Sequence, residues 1–324
     1  MLVFEKHYKQ ITLALCFFLI SSGVTLAQCC SPGNPVGGTA NLSIVSKNSL
    51  RMNTYFRWGY ADTYYEGSDK TSFQFVDNAS YNFLGTILTY GLLDKLNIEV
   101  ELGYFFNKAQ EYDLSNVSYT LEGYGLNDGV FSLKYNFYKS TARQLEFTGA
   151  LGAKIPLRQN PQQVNHVELP IDVQPSSMAF GIVAQVFLYK GFISKGLHLF
   201  LLNRYENPFE NPQQYQYGQV LQSSLFVSKA LTNNWSVIAQ IRHEWRDADK
   251  RFGGQVPSSG GNILFTAPQV NYNIRQKWNL SVLADIPVYR NYSGTQLSPK
   301  YAISFLVSRE FDFSGKSQTW NKKT

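Results

Sequence analysis

Charge is scarce in this chain. Only 16% of its 324 residues are Asp, Glu, Lys or Arg, which excludes a disordered polyelectrolyte. No run of about twenty apolar residues follows the N-terminal region, so the chain is not a helical membrane protein, and its mean hydropathy is -0.22. Cysteine is nearly absent, with three residues and no zinc-ligand spacing. A phosphate-cradling Gly loop and a nucleotide fingerprint are also missing, because the glycines from Gly125 to Gly129 are too few and wrongly placed. Twenty-nine Lys and Arg against 23 Asp and Glu give a net charge of +6. The cations are dispersed without a basic cluster, which argues against a nucleic-acid partner.

What the chain has is aromatic residues, 15% of the total, set into a strict alternation. Leu50, Met52, Thr54, Phe56, Trp58 and Tyr60 interleave with Arg51, Asn53, Tyr55, Arg57 and Gly59. Side chains on a strand point to opposite faces with period two, so one face here is apolar and the other carries cations. Twelve such runs are expected at 50–60, 79–91, 97–107, 129–138, 144–155, 179–189, 197–206, 216–228, 235–245, 262–273, 278–289 and 300–311. Their connections alternate in length. Those at 92–96, 139–143, 190–196, 229–234 and 274–277 are tight, and those at 61–78, 108–128, 156–178, 207–215, 246–261 and 290–299 are longer and rich in Gly, Pro, Asn, Asp and Gln. Strands of about ten residues with short turns at one end and long loops at the other read as a transmembrane antiparallel up-and-down β-barrel, all-β, of 12 strands. Short turns face the periplasm in such barrels, so both termini are expected there.

The faces sort by charge. Ile98, Val100, Leu102, Tyr104 and Phe106 oppose Glu99, Glu101 and Gly103, and Trp235, Val237, Ala239, Ile241, His243 and Trp245 oppose Ser236, Gln240, Arg242 and Glu244. Leu145, Phe147, Leu151 and Ile155 oppose Glu146, Thr148, Gly152 and Lys154, and Tyr301, Ile303, Phe305, Val307 and Phe311 face out of the last run. Every charge in these runs except Arg309 falls on the inner face, as expected when a charge at the lipid midplane costs about 2–4 kcal/mol. The expected lumen set is Arg51, Arg57, Glu99, Glu101, Lys134, Glu146, Lys154, Arg204, Arg242, Glu244 and Asp285, with Glu310 at the rim. It forms either a polar path that orients small solutes or a salt-bridged plug. Phe105, Phe187, Phe200, Phe265 and Tyr289 also point inward by parity, narrowing the bore in a way that suits an amphipathic or aromatic solute. Trp58, Tyr60, Tyr104, Phe106 and Trp245 at one end, with Tyr138, Trp235 and Trp278 at the other, fit two interfacial girdles.

The N-terminus carries an address. Lys6 and Lys9 precede an apolar stretch from Ile11 to Val24, then Thr25 and Ala27 stand at the -3 and -1 positions before Gln28. A secretory signal peptide over 1–27 is expected, followed by an N-terminal arm over 28–48, the barrel over 49–313 and a tail over 314–324. Without residues 1–27 the chain holds 27 Lys and Arg and 22 Asp and Glu, a net charge of +5. Cys29 and Cys30 remain, open to three readings: lipidation at a Leu26-Ala27-Gln28-Cys29 box, a vicinal disulfide or metal capture, or a tolerated pair in a Gly- and Pro-rich arm. Six Asn-x-Ser sequons, at Asn41, Asn78, Asn116, Asn234, Asn279 and Asn291, are by-products of Asn- and Ser-rich turns.

From about residue 80 onward, further pieces carry a resemblance. They are Tyr90-Gly91-Leu92-Leu93-Asp94-Lys95-Leu96-Asn97, Gly123-Tyr124-Gly125-Leu126-Asn127-Asp128-Gly129, Leu169-Pro170-Ile171-Asp172-Val173-Gln174-Pro175, Leu231-Thr232-Asn233-Asn234-Trp235, and Ile286-Pro287-Val288-Tyr289 followed by Gly294-Thr295-Gln296-Leu297. With them the chain resembles the outer-membrane barrels grouped as the meta-pathway-of-phenol-degradation transporter-like family, in its Bacteroidetes form. Ser258-Ser259-Gly260-Gly261 departs from the Thr-Gly-Gly usual there. The resemblance implies an outer-membrane channel and supplies no catalytic residues or cofactor. Expected partners are outer-membrane lipid, a small-molecule solute and the barrel-assembly machinery, which reads a C-terminal aromatic such as Phe311 or Phe313. An outer-membrane enzyme would need a nucleophile or a His and Asp pair at the rim, and His166, His243, Asp247 and Asp249 fall within no recognisable motif. A closed barrel that binds a ligand or partner through its loops is the alternative to a channel.

Overall fold

The computed structural model describes residues 44–114, 117–275 and 278–313. The signal peptide over 1–27, Cys29, Cys30, Asn41, Asn116 and the tail over 314–324 lie outside the described residues. Twelve long strands follow one another in chain order: β1 (Ser49–Glu66), β2 (Asn78–Leu93), β3 (Leu96–Leu114), β4 (Gly129–Ser140), β5 (Leu145–Ile155), β6 (Gly181–Phe192), β7 (Leu197–Pro208), β8 (Val220–Ala230), β9 (Trp235–Arg246), β10 (Gly261–Ile274), β11 (Trp278–Tyr292) and β12 (Thr295–Asp312). Each pairs antiparallel with the next. The last closes on the first from Ser49 opposite Asp312 to Glu66 opposite Thr295, so the barrel wall has no free edge among the described residues.

The alternation in sequence becomes a two-sided wall. Leu102, Phe131, Leu133, Leu151, Ile241, Val282 and Phe305 stand exposed on the outside, while Asn53, Arg57, Glu99, Glu101, Lys134 and Arg242 are buried within. This is the reverse of a soluble barrel and is the arrangement lipid demands. Both ends of the belt carry aromatic clusters. Trp58 and Tyr60 pack on Tyr301 at 5.3 and 5.8 Å, Tyr104 lies 5.4 Å from Phe106, and at the other end Trp235 packs on Tyr272 at 4.6 Å. Arg309, the outward charge of β12, lies over the rings of Trp278 and Phe311 at 4.6 and 4.5 Å, close to the end of that strand. Its guanidinium therefore sits at the aromatic interface and not at mid-membrane.

Three expectations change. The long connection expected at 290–299 is a tight turn, because β11 and β12 run on to Tyr292 and Thr295 and only Ser293 and Gly294 join them, the glycine at φ 78°. The connection expected at 108–128 is strand as well. The segment Val117–Leu126 folds back on β3 from Leu114 opposite Val117 to Tyr104 opposite Leu126. The segment alternates, with Val117, Tyr119 and Leu121 between Ser118, Thr120 and Glu122, but it pairs only with β3 and adds no strand to the closed wall. Tyr289 is exposed on the outer face, not in the lumen. Leu264 pairs with Tyr289 but Phe265 pairs with Pro287, so one extra residue in β11 flips the parity beyond it.

Candidate functional site

The lumen is the candidate site, and its residues converge from all twelve strands. Arg57 on β1 and Arg242 on β9 share the carboxylate of Asp285 on β11: Arg57 Nη1 donates to Oδ2, and Arg242 Nη1 lies 2.9 Å from Oδ1. Arg57 Nε also donates to the Tyr81 hydroxyl at 2.8 Å, and the Arg242 guanidinium lies 4.4 Å above the Phe265 ring. Arg204 on β7 reaches across the bore to Glu101 on β3 and along its own strand to Glu206, each at 2.7 Å. Lys134 Nζ sits 2.5 Å from Glu99, which also accepts from the Thr89 hydroxyl at 2.9 Å. Glu146 accepts from the Thr148 hydroxyl at 3.2 Å and from the Ile44 backbone N–H at 3.4 Å. Glu244 accepts from Gln222 Nε2 at 3.0 Å, and Lys154 lies 3.2 Å from Asp128. Arg51 pairs with Glu310 at 2.9 Å near the end that carries the termini.

Apolar packing fills the midsection between these pairs. Phe187, Leu202, Phe226 and Ile238 form one cluster on β6 to β9. Tyr55, Phe83, Ile87, Phe105, Leu283 and Leu306 form another across the bore. Space opens on either side of this layer. Toward the loop end lie two cavities. One, of about 80 Å³, is lined by Arg57, Tyr81, Arg242, Phe265 and Asp285. The other, of about 70 Å³, is lined by Asp128, Lys154, Glu206, Tyr217 and Arg246. Toward the end with the termini lies a vestibule of about 240 Å³.

A loop roofs the outer cavities. Residues 156–180 fold inward, burying Leu169, Val173, Gln174, Ser176 and Met178. Asp128 is the anchor, accepting from the Ser176 and Ser177 hydroxyls at 2.5 Å each and from the Ser177 N–H at 3.2 Å. Lys108 Nζ donates to the Gln174 carbonyl at 3.0 Å. Gly123 lets the strand return pass against this loop, because a Cβ there would lie 2.1 Å from the Val173 carbonyl oxygen. The sequence reading missed Asp128 and Glu206 as lumen groups. Asp128 fell in an expected loop and Glu206 at an expected strand end, and the only signal was Asp128 standing beside Gly129, which opens β4.

Of the residues weighed for catalysis, Asp249 and His243 have identifiable partners. Asp249 is buried, accepting from the Tyr215 hydroxyl at 2.5 Å and the Gly218 N–H at 2.6 Å, which ties two loops together. Burial and the Asp249 carboxylate both push the Tyr215 hydroxyl above the usual phenol range. His243 faces outward, its Nε2 3.1 Å from Asn262 Oδ1. Among the described residues no group of three or more His, Cys, Asp or Glu is arranged to hold a metal ion.

No family model and no curated protein matches the chain. Among solved structures it is similar to an outer-membrane channel from Pseudomonas putida F1, at 11% identity over 87% of this chain and 100% of that one, with a TM-score of 0.64. A more distant likeness is to the toluene transporter TodX of P. putida, at 10% identity over 83% of this chain and 91% of that one, with a TM-score of 0.46. The first likeness shows the fold, a closed 12-strand antiparallel barrel of the outer-membrane type.

Proposed function

We propose that this protein is an outer-membrane channel for passive passage of small, amphipathic or aromatic solutes, with both termini in the periplasm. We place it with the phenol-pathway transporter-like family its sequence resembles. The observation that carries this reading is the pair of lumen cavities beneath the loops, where paired charges stand beside aromatic rings inside a lipid-facing wall. The charges orient a polar end of the solute and the rings take an apolar one. Diffusion down a gradient needs no cofactor. The packed midsection makes the path narrow, and passage requires the side chains of that layer to shift.

That same packing favours the second reading, a closed barrel that binds a ligand or partner through its loops. Single-channel conductance of the refolded mature protein in a planar bilayer separates the two, with Arg57→Ala and Glu101→Ala as lumen variants. Discrete steps altered by both variants support the channel. A folded, heat-modifiable barrel that never conducts supports the closed barrel.

A further inference from the structure

The inner half of the lumen is chemically lopsided. On β3 to β5 the inward groups include the charges Glu99, Lys134 and Glu146. Among the described residues of β9 to β12 and β1, inside the Arg51–Glu310 rim pair and short of Asp285 and Arg242, the inward groups are amides, hydroxyls and apolar side chains without a single charge. One cross-strand row runs Asn53, Ser308, Asn279, Asn273 across four neighbouring strands, with Asn271 and Gln269 next along β10. Asn271, Asn273 and Asn279 line the vestibule of about 240 Å³, whose one titratable lining group among the described residues is His198, with Nδ1 2.9 Å from the Tyr189 hydroxyl.

Several of these amides hold buried polar atoms that are not satisfied, while Asn271 Oδ1 accepts from Gln269 Nε2 at 2.6 Å. Among the described residues nothing hydrogen-bonds to Oδ1 of Asn53, Asn273 or Asn279, to Oε1 of Gln269, or to Nδ2 of Asn53. Buried polar atoms are nearly always paired, so such a group marks a place where water or a ligand completes the bonds. Four of the five free atoms are carbonyl oxygens, which only a donor can satisfy. A charged solute entering here would lose its hydration and meet no counter-charge on this wall, whereas a neutral solute exchanges one hydrogen-bonded shell for another. At about 30 Å³ per water, the vestibule has room for a solute the size of a small polyol.

We infer that the amide wall of β9 to β12 and β1 is a binding and exit lane for neutral solutes that carry a hydroxyl or N–H group. This rests on the channel reading and narrows its small solutes to uncharged ones with a hydrogen-bond donor: the outer cavities accept the solute and the inner lane selects against charge.

The test is flux of ribose and ribonate, alike in size and differing in charge, into liposomes holding the full mature protein, with salt conductance recorded in parallel. Ribose is expected to enter roughly tenfold faster than ribonate, since desolvating the carboxylate is uncompensated. Joint replacement of Asn273 and Asn279 by Leu is expected to slow ribose roughly tenfold by removing two acceptors. Asn279→Asp, equal in size and so harmless to packing, is expected to shift the reversal potential toward cations. Equal entry of the two solutes, ribose flux indifferent to the Leu variant, or salt conductance without ribose entry would each overturn the lane and leave the channel standing. A folded barrel that passes neither solute nor salt would overturn the channel and the lane together.

Discussion

Arg204 on β7 and Glu101 on β3, 103 residues apart in the chain and separated by three intervening strands, meet across the bore at 2.7 Å. Both side chains are buried, and Glu206 holds the guanidinium from the other side. This is a cross-lumen strut, not a wall contact. Removing one partner of a buried pair leaves a desolvated charge, so Arg204→Ala is expected to cost about 3–5 kcal/mol of folding free energy. Replacing Arg204 by Met together with Glu101 by Leu and Glu206 by Gln is expected to recover most of that. Urea unfolding in lipid vesicles reads both, and equal losses from the single and triple variants would show that the strut is not what Arg204 contributes.

The roof over the outer cavities hangs on Asp128. Asp128→Ala removes charge-assisted hydrogen bonds worth about 1.5–3 kcal/mol each, and the expected outcome is a released 156–180 loop. Trypsin cleavage after Arg158 should then rise and conductance should increase. Gly123→Val should do the same by another route, since its side chain needs the space held by the Val173 carbonyl. Unchanged cleavage in both variants would mean that the loop is held by other contacts.

Leu151 and Phe252 are similarly exposed, at 65% and 70%, but Leu151 stands on the β5 belt and Phe252 on a loop. Leu151→Arg is expected to cost about 2–4 kcal/mol in lipid, and Phe252→Arg close to nothing. Comparable costs would contradict the placement of the belt in the membrane.

Orientation has its own test. Asn165 sits at φ 51° in an exposed hairpin turn between Gln163–Val164 and Val167–Glu168. An epitope inserted there should be accessible on intact cells, and one following Thr324 should not be. The opposite pattern would put the termini outside.

Most of the wall was legible because alternation is a local property. Phe56 and Arg57 fall on opposite faces whatever they contact, and the same parity places Glu99, Lys134 and Arg242 inside. Legibility failed where the local rule is broken by pairing. Tyr289 changes face because β11 gains one residue against β10, and nothing between Ile286 and Tyr289 announces that beyond a Pro found at such irregularities. It failed again outside the membrane. There Val117–Leu126 pairs back on β3 without adding a strand to the wall, and the tips of β11 and β12 pair on past the expected strand ends.

The sequence by itself therefore determined that this chain is a twelve-stranded barrel with an apolar skin and a charged interior, because lipid imposes a period-two code on every strand separately. Only the tertiary structure decided which charges meet: Arg57 and Arg242 on one Asp285, Arg204 on Glu101 and Glu206, and Lys154 on an Asp128 that the sequence left in a loop. Partners in a lumen are set by closure and stagger, which bring residues as far apart as Arg57 and Asp285, 228 positions, into one hydrogen bond. The uncharged wall on β9 to β12 and β1 exists for the same reason, since only the side-by-side register of Asn53, Ser308, Asn279 and Asn273 brings their amides and hydroxyls into one row.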